Sequence, residues 1–461
     1  MARLSRFIVT LILAKLLTPE DFGILAIGLL IVNILYLFRE VGLGAALIQR
    51  QDEWERSADT AFYLILFISL FIFTIAALSS GLISGFFNHD VSRIVVVIFS
   101  SSILITAISK VHLILFQKEL LFKKQAIAEI ISMIAYCVLT ISLAYLGYKF
   151  WSLIIGYVIS ELIRSLIFIV SSDWRPKLRF SLSIAKDMFD FGKYIFGNKI
   201  LLYLFHNLDQ IFVGKLMGNV QLGFYNFGYR VANLPAQNIS KVMGIVTFPL
   251  YAKIQNEQTE LRNAFLWSFH LIGFVAIPVC FTTIFIVPRF FHIAYGDKWD
   301  QTIPILKILS VYGLFRSFGV VAGSMFTALR KPKCLIIVSV LQTMVVVSGI
   351  YFVSRKFGLT GIALMFTGAM GAGVLLAFYY IQNLLSLTWH CLMKRLVGIV
   401  LASFLSFVAA DYIINRMLEI NNIYYFGIYL FLISSIYLCM IFFMQKHFFL
   451  KFIHALGLKN D

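Results

Sequence analysis

Residues 14–33, AKLLTPEDFGILAIGLLIVN, align without a gap on residues 214–233, GKLMGNVQLGFYNFGYRVAN. Lys15, Leu16, Gly23 and Asn33 match Lys215, Leu216, Gly223 and Asn233, so one offset relates all four pairs. A shared Lys-Leu and Gly at the punctuation between apolar runs marks an internal repeat, which dictates the architecture before any single span is assigned. Six apolar runs separate the copies. An even number of crossings inserts both copies in the same orientation, so the halves are parallel repeats related by an axis along the membrane normal. Repeats of that kind leave a central cavity and alternate access by rocking about it, which makes a two-domain transporter the expected architecture.

Composition shows why these runs cross a membrane. Of 461 residues, 60% are hydrophobic and 13% charged, and the mean hydropathy is +0.89, too little polar surface to coat a globule of this size in water. Bare peptide groups are costly in hydrocarbon, so only helices or closed barrels span it. Barrel strands show short alternating segments, whereas the runs here are continuous and therefore helical. Working outward from the repeat, spans fall near 4–17, 23–48, 60–85, 94–116, 126–146 and 150–171, then 190–216, 221–251, 264–288, 301–329, 334–354 and 358–383, then 395–414 and 423–444. The fold class is an all-α polytopic membrane protein of about fourteen transmembrane helices, two six-helix repeats around a central cavity plus a terminal pair. The expected domains are an N-terminal six-helix bundle over 1–172, a cytoplasmic connector over 173–189, a C-terminal six-helix bundle over 190–384, and helices 13 and 14 with a basic tail over 385–461.

A net charge of +17 raises the question of nucleic acid, but that reading needs a basic soluble face and the chain offers none. Topology accounts for the charge. With the N-terminus cytoplasmic, inside loops and tails carry about 21 Lys and Arg against about 7 outside, so both termini are assigned to the cytoplasm. The basic start and the apolar run from Phe7 to Leu13 lack a small-x-small cleavage site and are interrupted by Lys15, so the segment reads as a helix that is retained. Cys137, Cys280, Cys334, Cys391 and Cys439 have neither metal nor redox spacing, and no disulfide is expected. His89, His112, His292, His390, His447 and His454 are dispersed and read as interfacial; no metal or cofactor is expected. No connector is long enough to house a catalytic domain, so the chain reads as a transporter and not as an enzyme.

Ionisable groups inside spans are expensive and each invites a functional reading. In span 8, Asn226, Arg230, Asn233, Gln237 and Lys241 lie within one arc of about 80° on a continuous helix, a polar stripe about 22 Å long. Span 7 adds Lys199, His206 and Asp209, span 2 adds Asn33, Tyr36, Arg39 and Glu40, span 4 Lys110, span 6 Glu161 and Arg164, and span 10 Arg316. Cations dominate. Arg39, Lys110, Lys199, Arg230, Lys241 and Arg316 suit an anionic substrate, phosphate above all, with Asn233 and Gln237 as hydrogen-bonding partners. Internal ion pairs such as Arg39 with Glu161 or Arg230 with Asp209 are the structural alternative. Glu129 and Asp209 are candidates for a coupling proton or Na⁺. Pro235 and Pro278 interrupt spans 8 and 9 and read as hinges or static kinks.

The stretches LAKLLTPEDFGILAIG, FREVGLGAALIQRQD and LDQIFVGKLMGNVQLGFYNFGYRVANLPAQNISKVMGIVTFPLYAKIQ, with ALRKPK after span 10, resemble the signature segments of Wzx-type polysaccharide flippases. Those belong to the polysaccharide transporter family of the multidrug, oligosaccharidyl-lipid and polysaccharide exporter superfamily. The resemblance covers nearly the whole chain. It implies flipping of undecaprenyl-pyrophosphate-linked oligosaccharide repeat units across the bacterial inner membrane for exopolysaccharide, capsule or O-antigen assembly. Membrane lipids, a polysaccharide polymerase and export machinery are the implied partners. Such proteins begin about twenty residues earlier, which leaves span 1 short for a core about 30 Å thick. The alternatives are a cation-coupled multidrug antiporter of the same superfamily, whose cavity should be acidic, and a membrane-embedded glycan transferase or polymerase.

Overall fold

Thr18, Pro19 and Asp21 form a helix start. Pro19 occupies the first helical position, where its missing N–H matters least, the Thr18 amide donates to Asp21 Oδ2 at 2.7 Å, and the Asp21 amide donates to Thr18 Oγ1 at 3.3 Å. This box opens α2 (Pro19–Glu40), after α1 (Ala2–Leu16). The computed structural model describes residues 2–40, 43–49, 53–87, 91–233, 241–417 and 423–444. No strand occurs among them. There follow α3 (Leu43–Gln49), α4 (Trp54–Leu78), α5 (Ser80–Phe86), α6 (Val91–Lys118), α7 (Phe122–Tyr145), α8 (Phe150–Val170) and α9 (Leu182–Ala232). Then come α10 (Lys241–Lys253), α11 (Gln258–Phe285), α12 (Val287–Tyr295), α13 (Thr302–Ala328), α14 (Pro332–Leu385), α15 (Trp389–Met417) and α16 (Ile423–Met444). Among the described residues, nine helices are long and apolar enough to cross a membrane. Two helices fold back on themselves, α9 at Gly218 and α14 at Gly358, which restores the alternation of about fourteen spans.

The chain packs as two compact units, residues 1–226 and 227–461. In the first, α6 is central, touching α2, α4, α5 and α8, while α8 pairs with α7 and α7 with α1. The outer faces are apolar and bare: on α4, Phe67, Phe71 and Leu78 are 70%, 60% and 82% exposed, as lipid contact requires. In the second unit α13 packs on α10, α11 and α14, and α11 and α16 flank α15. Its core is aromatic, with Phe269 lying 4.8 Å from Phe318 and 5.2 Å from Phe378, centroid to centroid. Arg289 on α12 forms an ion pair with Asp411 on α15, and Tyr429 on α16 donates to the same carboxylate at 2.9 Å. The terminal helices are thereby tied to the end of α12.

The repeat reappears in the turns. Between α6 and α7, Leu120 has φ +56° and the Leu121 amide donates to Phe116 O at 2.8 Å; between α13 and α14, Arg330 has φ +54° and Lys331 donates to Phe326 O at 2.8 Å. The following connections use Gly147 at φ +86° and Gly358 at φ +58°. Within the first unit, the two copies of the opening motif meet. A Cβ on Gly23 would sit 1.8 Å from Asn219 O, and a Cβ on Gly223 would sit 1.8 Å from Pro19 O. Gly23 matches Gly223 in the repeat and Pro19 matches Asn219, so the contact is reciprocal. Only glycine permits it.

The packing division falls inside the eighth span, whereas the repeat boundary expected from sequence lies at the 173–189 connector. Gly218 is the reason: at φ +84° it turns α9 back, and the hairpin packs on the first unit through the glycine junction and through the Tyr203 hydroxyl, which donates to Leu30 O at 2.8 Å. The later part of the stretch read as connector is itself helical, because α9 begins at Leu182 and buries Ile184 and Met188, one turn apart, in the core beneath α4 and α6. His112, expected at the interface, is 2% exposed with its ring 5.1 Å from that of Trp174.

Candidate functional site

Three helices of the first unit carry polar residues at helical spacing on the faces where they meet. Tyr36, Arg39 and Glu40 come from α2; Ser102, Thr106 and Lys110 from α6; Tyr157, Glu161 and Arg164 from α8. The Tyr36 hydroxyl lies 3.1 Å from Ser102 Oγ and 3.4 Å from the Tyr157 hydroxyl. Arg39, 4% exposed, donates to Thr106 Oγ1 at 2.5 Å and to Ile103 O at 3.3 Å, and its guanidinium carbon stands 4.6 Å from the Tyr36 ring centroid. Its Nε is buried and has no hydrogen-bond partner among the described residues. Lys110 Nζ reaches Glu40 Oε1 at 2.5 Å, and Arg164 pairs with Glu161 one turn away. The band holds three cations and two acids, so it retains a positive excess while most of its charge is internally matched.

The hairpin at Gly218 builds a second cluster. Residues sixteen apart meet across it: the Tyr225 hydroxyl donates to Asp209 Oδ2 at 3.0 Å, and Asn226 donates to Gln210 Oε1 at 2.6 Å. Asp209 Oδ1 also accepts the Gln210 amide at 2.8 Å, and Asp209 is 2% exposed. Its carboxylate is thus held by donors on both oxygens.

In the second unit, Gly313 lets α13 approach the end of α9, where an added Cβ would come 2.5 Å from Ala232 O. One turn on, Arg316 donates to the Tyr229 hydroxyl at 2.8 Å and to Asn233 Oδ1 at 3.5 Å. Asn233 is fully buried and donates from its Nδ2 to Tyr229 O at 3.1 Å.

The sequence-based candidates therefore divide. Arg39 and Lys110 share the band in the first unit, and Arg316 and Asn233 share the cluster in the second. Asp209 sits in the hairpin cluster, and Arg230 is half-buried on α9. Glu129, half-buried on α7, accepts from Gln125 on its own helix at 2.9 Å. Asn33 is exposed, unlike its repeat mate Asn233. Gln237 and Pro235 lie outside the described residues, as do the side chains of Lys199 and Lys241. Of the stripe of span 8, Asn226 and Arg230 are thus on α9 and Asn233 directly follows its end. Sequence reasoning named Tyr36 but missed three further tyrosines. Tyr157, Tyr225 and Tyr229 carry the contacts of all three clusters, and their only signal was a position one helical turn before Glu161 in the first case and before Tyr229 and Asn233 in the others.

The model of the polysaccharide biosynthesis protein family matches residues 12–304. The teichuronic acid biosynthesis protein TuaB of Bacillus subtilis (strain 168) is 29% identical over 285 residues, 60% of this chain and 58% of that protein. The lipopolysaccharide biosynthesis protein WzxC of Escherichia coli (strain K12) is 26% identical over 374 residues, 80% of this chain and 75% of that one. Among solved structures, the inward closed conformation of the lipid II flippase MurJ superposes with a TM-score of 0.78 at 16% identity, covering 97% of both chains. An inward-facing multidrug resistance transporter of the MATE family does so with a TM-score of 0.66 at 15% identity, over 86% of this chain and 96% of that one. This multi-pass membrane protein belongs to the polysaccharide biosynthesis protein family and shares its fold with the MurJ and MATE structures.

Proposed function

We propose that the protein is a flippase that carries undecaprenyl-pyrophosphate-linked oligosaccharide repeat units from the cytoplasmic to the outer leaflet of a bacterial inner membrane, with both termini cytoplasmic. The observation that carries this reading is the buried Arg39, held by Thr106 and Tyr36 with its Nε left over inside a span. A guanidinium kept in the membrane at that expense suits an anion with several acceptor oxygens. Family membership and the relatives' roles in teichuronic acid and lipopolysaccharide biosynthesis supply the substrate class. Arg316, with Lys110, Lys199, Arg230 and Lys241, steers the pyrophosphate, and Asn233 and Gln237 offer hydrogen bonds to it or to the sugars. Asp209 and Glu129 are the proposed ion-coupling groups.

The test is complementation of a strain that lacks its own repeat-unit exporter and accumulates the lipid-linked intermediate. Wild-type protein clears the intermediate and restores surface polymer, whereas Arg39→Ala reaches the membrane at normal levels and does neither. Failure of the wild type to clear any lipid-linked intermediate, combined with a change in drug susceptibility, refutes the proposal in favour of a multidrug antiporter.

A further inference from the structure

Between α8 and α9 the chain runs as a strap against the start of α4, and its main chain is pinned there. The Lys177 amide donates to Asp59 Oδ1 at 3.1 Å and the Ser181 amide to Thr60 Oγ1 at 3.3 Å, both acceptors belonging to buried residues of α4. The Arg179 amide closes a tight turn on Lys177 O at 2.7 Å. At one end the Trp174 ring lies 6.0 Å from that of Phe62, and at the other Ile184 and Met188 enter the core. A segment held at so many points could turn its apolar side chains inward, yet Leu178, Phe180 and Leu182 are 93%, 54% and 77% exposed. Three large apolar groups bare within five residues mark a surface that something else covers.

Position and charge name the cover. The strap lies at the end of the first unit where α4 and α7 begin and α6 and α8 end, which is the depth at which spans leave the hydrocarbon. It continues a face already given to lipid: Leu162, Leu166 and Val170, one turn apart along α8, are exposed, and the chain enters the strap just after Val170. At the same end the α6–α7 turn holds out Leu120 and Phe122.

Cations fringe these side chains. From residue 173 to 187 the strap carries Arg175, Lys177, Arg179 and Lys186 against Asp173 and Asp187, a net charge of +2. The acid nearest to it, Glu55 on α4, stands 3.8 Å from Lys177. Residues 53–59 hold three acids and one arginine, and residues 118–124 three lysines and one acid, so these two neighbours cancel and the excess of the strap stands. Bare apolar side chains with a basic fringe suit a segment lying in the interface of a bilayer, the apolar groups among the upper acyl carbons and the cations at phosphate level.

We propose that the strap over residues 175–186 docks on the membrane surface and gathers anionic phospholipid headgroups, in the cytoplasmic leaflet for the orientation proposed above. Only the choice of leaflet rests on that orientation, so vesicles with the same lipids in both leaflets test the contact alone. The photo-crosslinking amino acid p-benzoylphenylalanine is placed at Leu178 of the full chain, which is reconstituted in equal parts of phosphatidylglycerol and phosphatidylcholine and irradiated. Mass spectrometry of the labelled peptide finds lipid adducts in which phosphatidylglycerol outnumbers phosphatidylcholine at least about fivefold, the effect of about one surface cation. Arg179→Gln/Lys186→Gln removes two exposed charges, leaves the total lipid yield unchanged and brings the ratio to about one. Absence of lipid adducts overturns the proposal, as does an equal ratio with the strap cations intact or a ratio unmoved by the double variant. So does irradiation of intact cells that yields a protein adduct at Leu178 in place of lipid.

Discussion

Gly223→Ala tests the internal repeat at the point where its copies touch. The new Cβ would sit 1.8 Å from Pro19 O, whereas real contacts essentially never fall below 3.0 Å, so the motif around Pro19 and that around Gly223 must part by about 1.2 Å. Neither side yields by rotating a side chain, because backbone meets backbone, and Gly23 N lies 3.1 Å from the same Cβ. Overpacking of this kind destabilises by about 1–3 kcal/mol. Gly23→Ala opens the same junction from the other side, against Asn219 O. Once one substitution has parted the motifs, the second meets less resistance, so the double variant loses less stability than the two singles together. Thermal unfolding of the purified chain, followed by monodisperse fraction after heating, measures all three. Gly85→Ala is the control, since nothing lies within 4 Å of a Cβ there. Strict additivity of the two substitutions, or a Gly223→Ala variant as stable as Gly85→Ala, refutes the reciprocal junction.

Tyr229→Phe removes the hydroxyl that takes the Arg316 guanidinium at 2.8 Å; a hydrogen bond to a charged group contributes about 1.5–3 kcal/mol, so polymer export falls at least about tenfold at equal membrane levels. Exchanging the partners of the half-buried Lys110 and Glu40 pair restores thermal stability that each single charge reversal lowers by about 1 kcal/mol or more. Gly218→Ala meets no neighbour, yet φ +84° with ψ 178° is glycine territory, so it destabilises by about 1–3 kcal/mol through the backbone alone, read from the same unfolding assay. Asp209→Asn keeps the acceptor for Tyr225 and removes the charge; in proteoliposomes, transport by this variant no longer responds to a proton or Na⁺ gradient, and a wild-type response excludes Asp209 from coupling.

The helices were legible because lipid demands long apolar runs, and the repeat because Lys-Leu and Gly recur at one offset. The Gly218 hairpin was legible only as a break between spans. Sequence does not reveal that it would carry Asp209 and Gln210 onto Tyr225 and Asn226, since contacts sixteen residues apart belong to no helical period. The start of α9 at Leu182 was hidden by the charges around it, which polarity assigns to a loop although Ile184 and Met188 keep the spacing of a buried stripe. Arg39 and Lys110 were visible as charges inside spans. Tyr36 was named beside Arg39, whereas Thr106 was not, because a threonine is ordinary in membrane helices until an arginine lies against it.

The turns at Leu120 and Arg330 have nearly the same left-handed backbone and the same pattern of amide-to-carbonyl bonds, yet one residue is aliphatic, the other cationic, and neither is glycine. Each sits where a side chain is disfavoured by about 1–2 kcal/mol. Two turns at matching places in the repeat therefore differ in side-chain chemistry while sharing a geometry that neither residue prefers. What they have in common is the path of the main chain and its amide-to-carbonyl bonds, with an aliphatic side chain riding on one and a cationic one on the other.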